Sequence, residues 1–127
     1  SPNLISKLVK IQSTIFTCAP TAGQEVCIKL LKEDFKPDLS VLKHAGNSLR
    51  NIFIEKGWIV PENKELSMYL FPVNNNINID LLLEKLMNNG LGIIGGEAFG
   101  YKNSMRITIP NNSKVLNKIE FILKKNL

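Results

Sequence analysis

The chain has 127 residues, 44% of them hydrophobic and 21% charged, with a formal net charge of +5. That is one domain's worth of globular sequence with apolar residues enough for a core, and no apolar run approaches the ~20 residues of a membrane helix. The lysines are scattered as on a solvated surface, which argues against a nucleic-acid partner, and Cys18 and Cys27 are too few and too unpatterned for a disulfide framework or a zinc site.

Both thiols are expected to be reduced, which places the protein in the cytoplasm. Ser1-Pro2-Asn3-Leu4 is not expected to be a signal peptide, since a basic region and a long apolar one do not follow in order.

In chain order, Leu4, Ile5, Leu8, Ile11 and Ile15 line one face of a first helix. Ser1 is expected to cap it, with Pro2 at the first position. Thr21-Ala22-Gly23-Gln24 has the form of a capping box, with Val26, Cys27, Leu30 and Leu31 as the apolar face of a second helix. A third helix is expected over 39–56, with Leu42, Ala45, Leu49, Ile52 and Phe53 along one side and Gly57 as its stop. His44 stands alone, with no metal-ligand spacing around it, and Arg50 reads as a helix-surface charge.

Short strands are expected at 58–60, ending at Pro61, and at 67–71, ending at Pro72, with a polar turn at 62–65 between them. Tyr69 is expected to pack in the core. Asn78 or Asp80 opens a helix with Leu82, Leu83, Leu86 and Met87 on one face, closed by Asn89-Gly90. Two further strands follow around a Gly-rich loop. Asn111, Asn112 and Ser113 then introduce a last helix with Val115, Leu116, Ile119, Ile122 and Leu123 as its stripe. The expected fold is α+β: a small, mainly antiparallel sheet of about four strands with helices packed on one face.

The Gly-rich stretch carries the chemistry. Leu91-Gly92-Ile93-Ile94 leads into Gly95-Gly96-Glu97-Ala98-Phe99-Gly100, and Met105-Arg106-Ile107-Thr108-Ile109 follows. Alternation puts Met105, Ile107 and Ile109 on one face and Arg106 and Thr108 on the other. Of the 16 basic residues only Arg50 and Arg106 are arginine. A guanidinium fork on a rigid strand grips a carboxylate with two parallel hydrogen bonds, which lysine cannot copy. The plainer reading of Arg106 is a side chain that snorkels or pairs with a surface Asp or Glu.

The order strand, Gly95-Gly96-x-x-Phe99-Gly100, Arg106-Ile107-Thr108 resembles the C-terminal small domain of class I/II pyridoxal-phosphate-dependent aminotransferases, the aspartate aminotransferase superfamily. Gly95 stands where that family usually has Pro, and the 61–71 segment lacks a Gly and carries a longer insert. The resemblance implies that Arg106 binds the substrate α-carboxylate, with Gly95, Gly96, Phe99 and Gly100 shaping the loop beside it.

It also implies a single domain over 1–127. Residues 1–35 would form helices after the cofactor-lysine segment, 36–57 the interdomain helix, and 58–127 the small-domain sheet and helices. The family's Ser-x-x-Lys or Ser-Lys-x-x segment followed by Gly-x-Arg-x-Gly does not occur in these 127 residues. The chain is therefore expected to be a C-terminal fragment, inactive alone and without a tightly bound cofactor. The complete enzyme would use pyridoxal 5'-phosphate to move an amino group between an amino acid and a 2-oxo acid, as a homodimer.

Two other readings stay open: a basic α+β module for RNA or a protein partner, and a small-ligand regulatory domain. Tyr69 and Phe71 share a strand face, but no run of the RNA-recognition type, Lys/Arg-Gly-Phe-Gly-Phe, occurs.

Overall fold

The computed structural model describes residues 1–16, 18–62 and 67–127. The chain divides into two compact units, Ser1–Pro37 and Asp38–Leu127.

The first unit holds α1 (Pro2–Ile15) and α2 (Thr21–Lys32), neither of which buries a residue. Pro2 opens α1 as its missing N–H allows, but the Ser1 side chain makes no cap bond. The capping box at 21–24 does not form. Pro20, with φ −55° and ψ 126°, is the boundary residue, so Thr21 is already helical and cannot turn back to cap. Gln24 does reach back, its Nε2 donating to the Ala19 carbonyl at 2.7 Å. Asp34 ends α2 in the left-handed region at φ 46°, where the Phe35 N–H returns to the Leu30 carbonyl at 3.2 Å.

The second unit begins with α3 (Ser40–Glu55) and continues through β1 (Tyr69–Leu70), α4 (Ile79–Asn88), β2 (Ile94–Gly95), a 3-10 turn (Gly96–Phe99), β3 (Met105–Thr108) and α5 (Ser113–Asn126). The helices start and stop by local chemistry. Asn78 Oδ1 accepts from the Leu81 N–H at 3.2 Å, and Asn112 Oδ1 accepts from the Lys114 and Val115 N–H groups at 2.9 and 3.2 Å. At the end of α3 the Gly57 and Trp58 N–H groups return to the Ile54 and Phe53 carbonyls, both at 2.9 Å. The Trp58 ring then meets Phe53 edge-to-face at 5.5 Å, the apolar contact that such a helix end favours. The end of α5 is closed from outside: Lys56 Nζ donates to the Lys124 carbonyl and Lys85 Nζ to the Asn126 carbonyl, each at 3.3 Å.

Among the described residues the sheet has three strands in the order β1-β3-β2, both pairings antiparallel. Tyr69 faces Thr108 and Leu70 faces Ile107 on one side; Ile94 faces Arg106 and Gly95 faces Met105 on the other. The fourth strand expected at 58–60 is reduced to a single bridge between Ile59 and Val73. The reason lies in the flanking prolines. Pro61 and Pro72 have no N–H to give, so the ladder cannot extend past that one pair. Trp58 and Val60 turn into the core instead. The turn expected at 62–65 lies outside the described residues from position 63 on.

The core is one cluster. Leu70, Met105, Ile107 and Ile109 meet Ala45, Leu49, Ile52 and Phe53 of α3, Ile79, Leu82 and Leu86 of α4, and Leu116, Ile119, Ile122 and Leu123 of α5. Within this second unit two expected stripe residues are exposed: Met87 on α4 and Val115 on α5 lie at the edges of their apolar faces. Asn126 is buried in place of a hydrophobe, its Nδ2 donating to the Ile122 carbonyl at 2.7 Å. Among the described residues, no helix is long and apolar enough to cross a membrane.

Candidate functional site

The turn between β2 and β3 is built on backbone approach. Gly96 donates its N–H to the Ser104 carbonyl at 2.7 Å and accepts from the Tyr101 N–H at 3.0 Å. Ser104 is fully buried, and its Oγ donates to the Tyr101 carbonyl at 2.7 Å. A Cβ on Gly96 would overlap Ser104 Oγ and the Tyr101 carbonyl, and would lie 2.8 Å from the Ser104 carbonyl. Only glycine fits. Gly100 closes the turn at φ 82°, in the left-handed region, with its N–H on the Glu97 carbonyl at 2.9 Å.

This turn delivers Phe99 to the outer face of the sheet, opposite the helices. Strand parity brings Arg106 to the same face, between buried Met105 and Ile107. The Arg106 guanidinium carbon sits 4.6 Å from the centre of the Phe99 ring and 4.5 Å from that of Tyr69. Phe71 meets Phe99 edge-to-face at 6.0 Å. Arg106 is half-buried, and its Nε is shielded from solvent without a hydrogen-bond partner.

Among the described residues Arg106 makes no ion pair. The three pairs present are Lys29–Glu33, Lys36–Asp34 and Lys102–Glu97, all on the surface. Glu97 is the acid of the same turn, and Lys102 takes it at 3.2 Å. Arg106 thus departs from a paired surface arginine: two rings hold it, and among the described residues no acid pairs with it. A cation kept in this state suits an incoming anion, and its planar fork suits a carboxylate.

The sequence-predicted residues divide. Arg106 and Phe99 touch; Gly96 and Gly100 shape the turn that brings them together. Gly95 stands one position along the ladder from Ile94, the partner of Arg106. It pairs with inward-facing Met105, and a Cβ there would stand 3.1 Å from Leu83 Cδ1, so it serves the seat of α4 against the sheet. Tyr69 corrects its expectation. It is 38% exposed and lies on the outer face, because Leu70 takes the inward position of the strand. Tyr69 and Phe71 were missed as site residues. Their signal was the shared face two residues apart, next to a strand bearing Arg106.

Arg50 is on α3, outside its buried face, and its Nη1 donates to the Pro61 carbonyl at 2.7 Å. His44, Cys18 and Cys27 are exposed, and among the described residues no group of three His, Cys, Asp or Glu is placed to hold a metal. Beside Arg106 lie the Tyr69 and Phe99 rings, and the lysine of the same turn, Lys102, is exposed and engaged by Glu97. Compared with known proteins, the chain matches no family model and no curated sequence.

Proposed function

We propose that Arg106 binds the carboxylate of an amino acid or 2-oxo acid, and that this chain is the C-terminal small domain of a pyridoxal-phosphate-dependent aminotransferase. One observation carries the reading: a half-buried arginine, held by Tyr69 and Phe99, with no acid on its guanidinium among the described residues. The Gly-rich turn, the Phe at 99 and the Arg-Ile-Thr strand give this observation its family resemblance.

Arg106 would supply binding and orientation. Two in-plane hydrogen bonds fix the carboxylate, and with it the direction of the bonds at the neighbouring carbon. The lysine and the phosphate cradle of such an enzyme would come from outside these 127 residues, in a cytoplasmic homodimer. The test is amino transfer by the complete gene product, from an amino acid to a 2-oxo acid, with pyridoxal phosphate added. Activity dependent on that cofactor supports the reading; a complete gene product without it refutes the enzyme assignment.

A second reading is a carboxylate-binding module that works without catalysis. In its favour, Tyr69, Phe71, Phe99 and Arg106 all belong to the one unit Asp38–Leu127. Tight binding of an amino acid by this chain alone would select it.

A further inference from the structure

An acid is one way to steady an arginine on the outer face of a sheet. An acid would also spend the donors that a ligand needs. Here the steadying groups are rings. Tyr69 comes from β1 and Phe99 from the 3-10 turn, and both meet the guanidinium carbon within 4.6 Å. Phe99 is itself braced by Phe71 at 6.0 Å and by a turn whose Gly96 admits no other residue. The attraction between a cation and a ring face needs no N–H donor, so hydrogen-bonding capacity is retained. Ile94 and Thr108, the described residues around Arg106 in the ladder, are uncharged.

We infer that Tyr69 and Phe99 are positioning residues, which hold Arg106 in place for a carboxylate while leaving its charge and donors available. This rests on the carboxylate reading above and adds to it a role for two rings. Neither ring needs to touch the ligand. Their effect is to restrict a long side chain before binding, so that less freedom is lost when the carboxylate arrives. Tyr69 acts here through its ring face, so its hydroxyl is dispensable.

The experiment uses the two arginines of the chain. Two Nε–Hε signals are expected by NMR, and Arg50→Lys assigns them. In the parent, the Arg106 signal should be displaced by the two rings and should respond saturably to sodium acetate at constant ionic strength set with chloride. Tyr69→Phe should keep both properties. Tyr69→Leu and Phe99→Leu should each move the Arg106 signal towards its free position and weaken acetate binding about two- to fivefold, the size of one cation–ring contact. The backbone amide spectrum reports in parallel whether the unit stays folded.

Equal Arg106 signals and equal acetate affinities in the parent and both Leu variants would overturn the positioning role and leave the carboxylate reading standing. A parent whose Arg106 signal ignores acetate would overturn the carboxylate reading itself, and the positioning role with it. Should Phe99→Leu fail to fold, Tyr69→Leu decides alone, since its ring is 38% exposed on the outer face.

Discussion

Arg106 lies 4.5 Å from the centre of the Tyr69 ring, and the two residues reach that contact from neighbouring antiparallel strands. The contact steadies a guanidinium whose Nε is shielded and unpartnered. Stability alone gives no reason to keep it. Replacing the arginine removes an unsatisfied polar group, worth about 1–3 kcal/mol, against the loss of about 0.5–1 kcal/mol per ring contact. Arg106→Met, which keeps a long apolar stem against the rings, should therefore leave urea-unfolding stability unchanged or raise it. A loss of more than about 1 kcal/mol, the scale of an ordinary structural hydrogen bond, would mean that Arg106 is a structural residue.

Gly96→Ala should damage the turn. The added methyl meets backbone as well as side chain, since the Ser104 carbonyl stands 2.8 Å from it and the Tyr101 carbonyl closer still. Overpacking of this kind costs about 1–3 kcal/mol or more. The double variant Gly96→Ala/Ser104→Ala should not recover the loss, because both carbonyls remain. Recovery in thermal unfolding would show that the Ser104 hydroxyl was the whole obstacle.

The helix caps make a paired prediction. Asn112 accepts two N–H groups at the start of α5, and Asn78 accepts one at the start of α4. Alanine at either site should cost about 0.5–2 kcal/mol, with the larger loss at Asn112. Denaturant midpoints of the two variants check the order.

Asp38 gives a pH dependence with a definite sign. Its Oδ1 accepts the Ser40 N–H at 2.9 Å. Hydrogen bonds from the Ser40 N–H and hydroxyl hold the Asp38 carboxyl below its ordinary 3.8. A lowered folded-state value means that the bond's contribution is fully present above the ordinary carboxylate range. It is lost as pH falls through the lowered midpoint. The Ser40 amide shift should follow a titration centred below 3.8 in the parent and lose that step in Asp38→Ala. A midpoint above 3.8 would contradict the bond.

Much of the fold is written in local periodicity. The α1 bounds, the buried face of α3, the alternation of Met105, Arg106 and Ile107, and the stop at Gly57 all follow from spacing and turn chemistry. Two misses come from proline and a third from tertiary pairing. Residues 58–60 have the composition of a strand, but two prolines without N–H groups leave them one bridge. Thr21 and Gln24 have the spacing of a capping box, but Pro20 moves the boundary by one residue. Tyr69 has the apolar body of a core residue, and only the pairing of Leu70 with Ile107 decides that it faces out. The arginine was legible because it is rare in a lysine-rich chain. Phe99 is legible in the same turn motif, but Tyr69 is not, because its contact depends on sheet order, β1 beside β3, that periodicity does not encode.

On the aminotransferase reading proposed above, the most direct test of Arg106 as a carboxylate ligand is the steady-state kinetics of Arg106→Lys in the complete gene product. Lysine keeps the charge and loses the fork, so two aligned bonds become one point contact. The carboxylate assignment predicts a KM for the amino acid raised about tenfold or more, the worth of one charge-assisted hydrogen bond. A KM and kcat equal to those of the parent would contradict it.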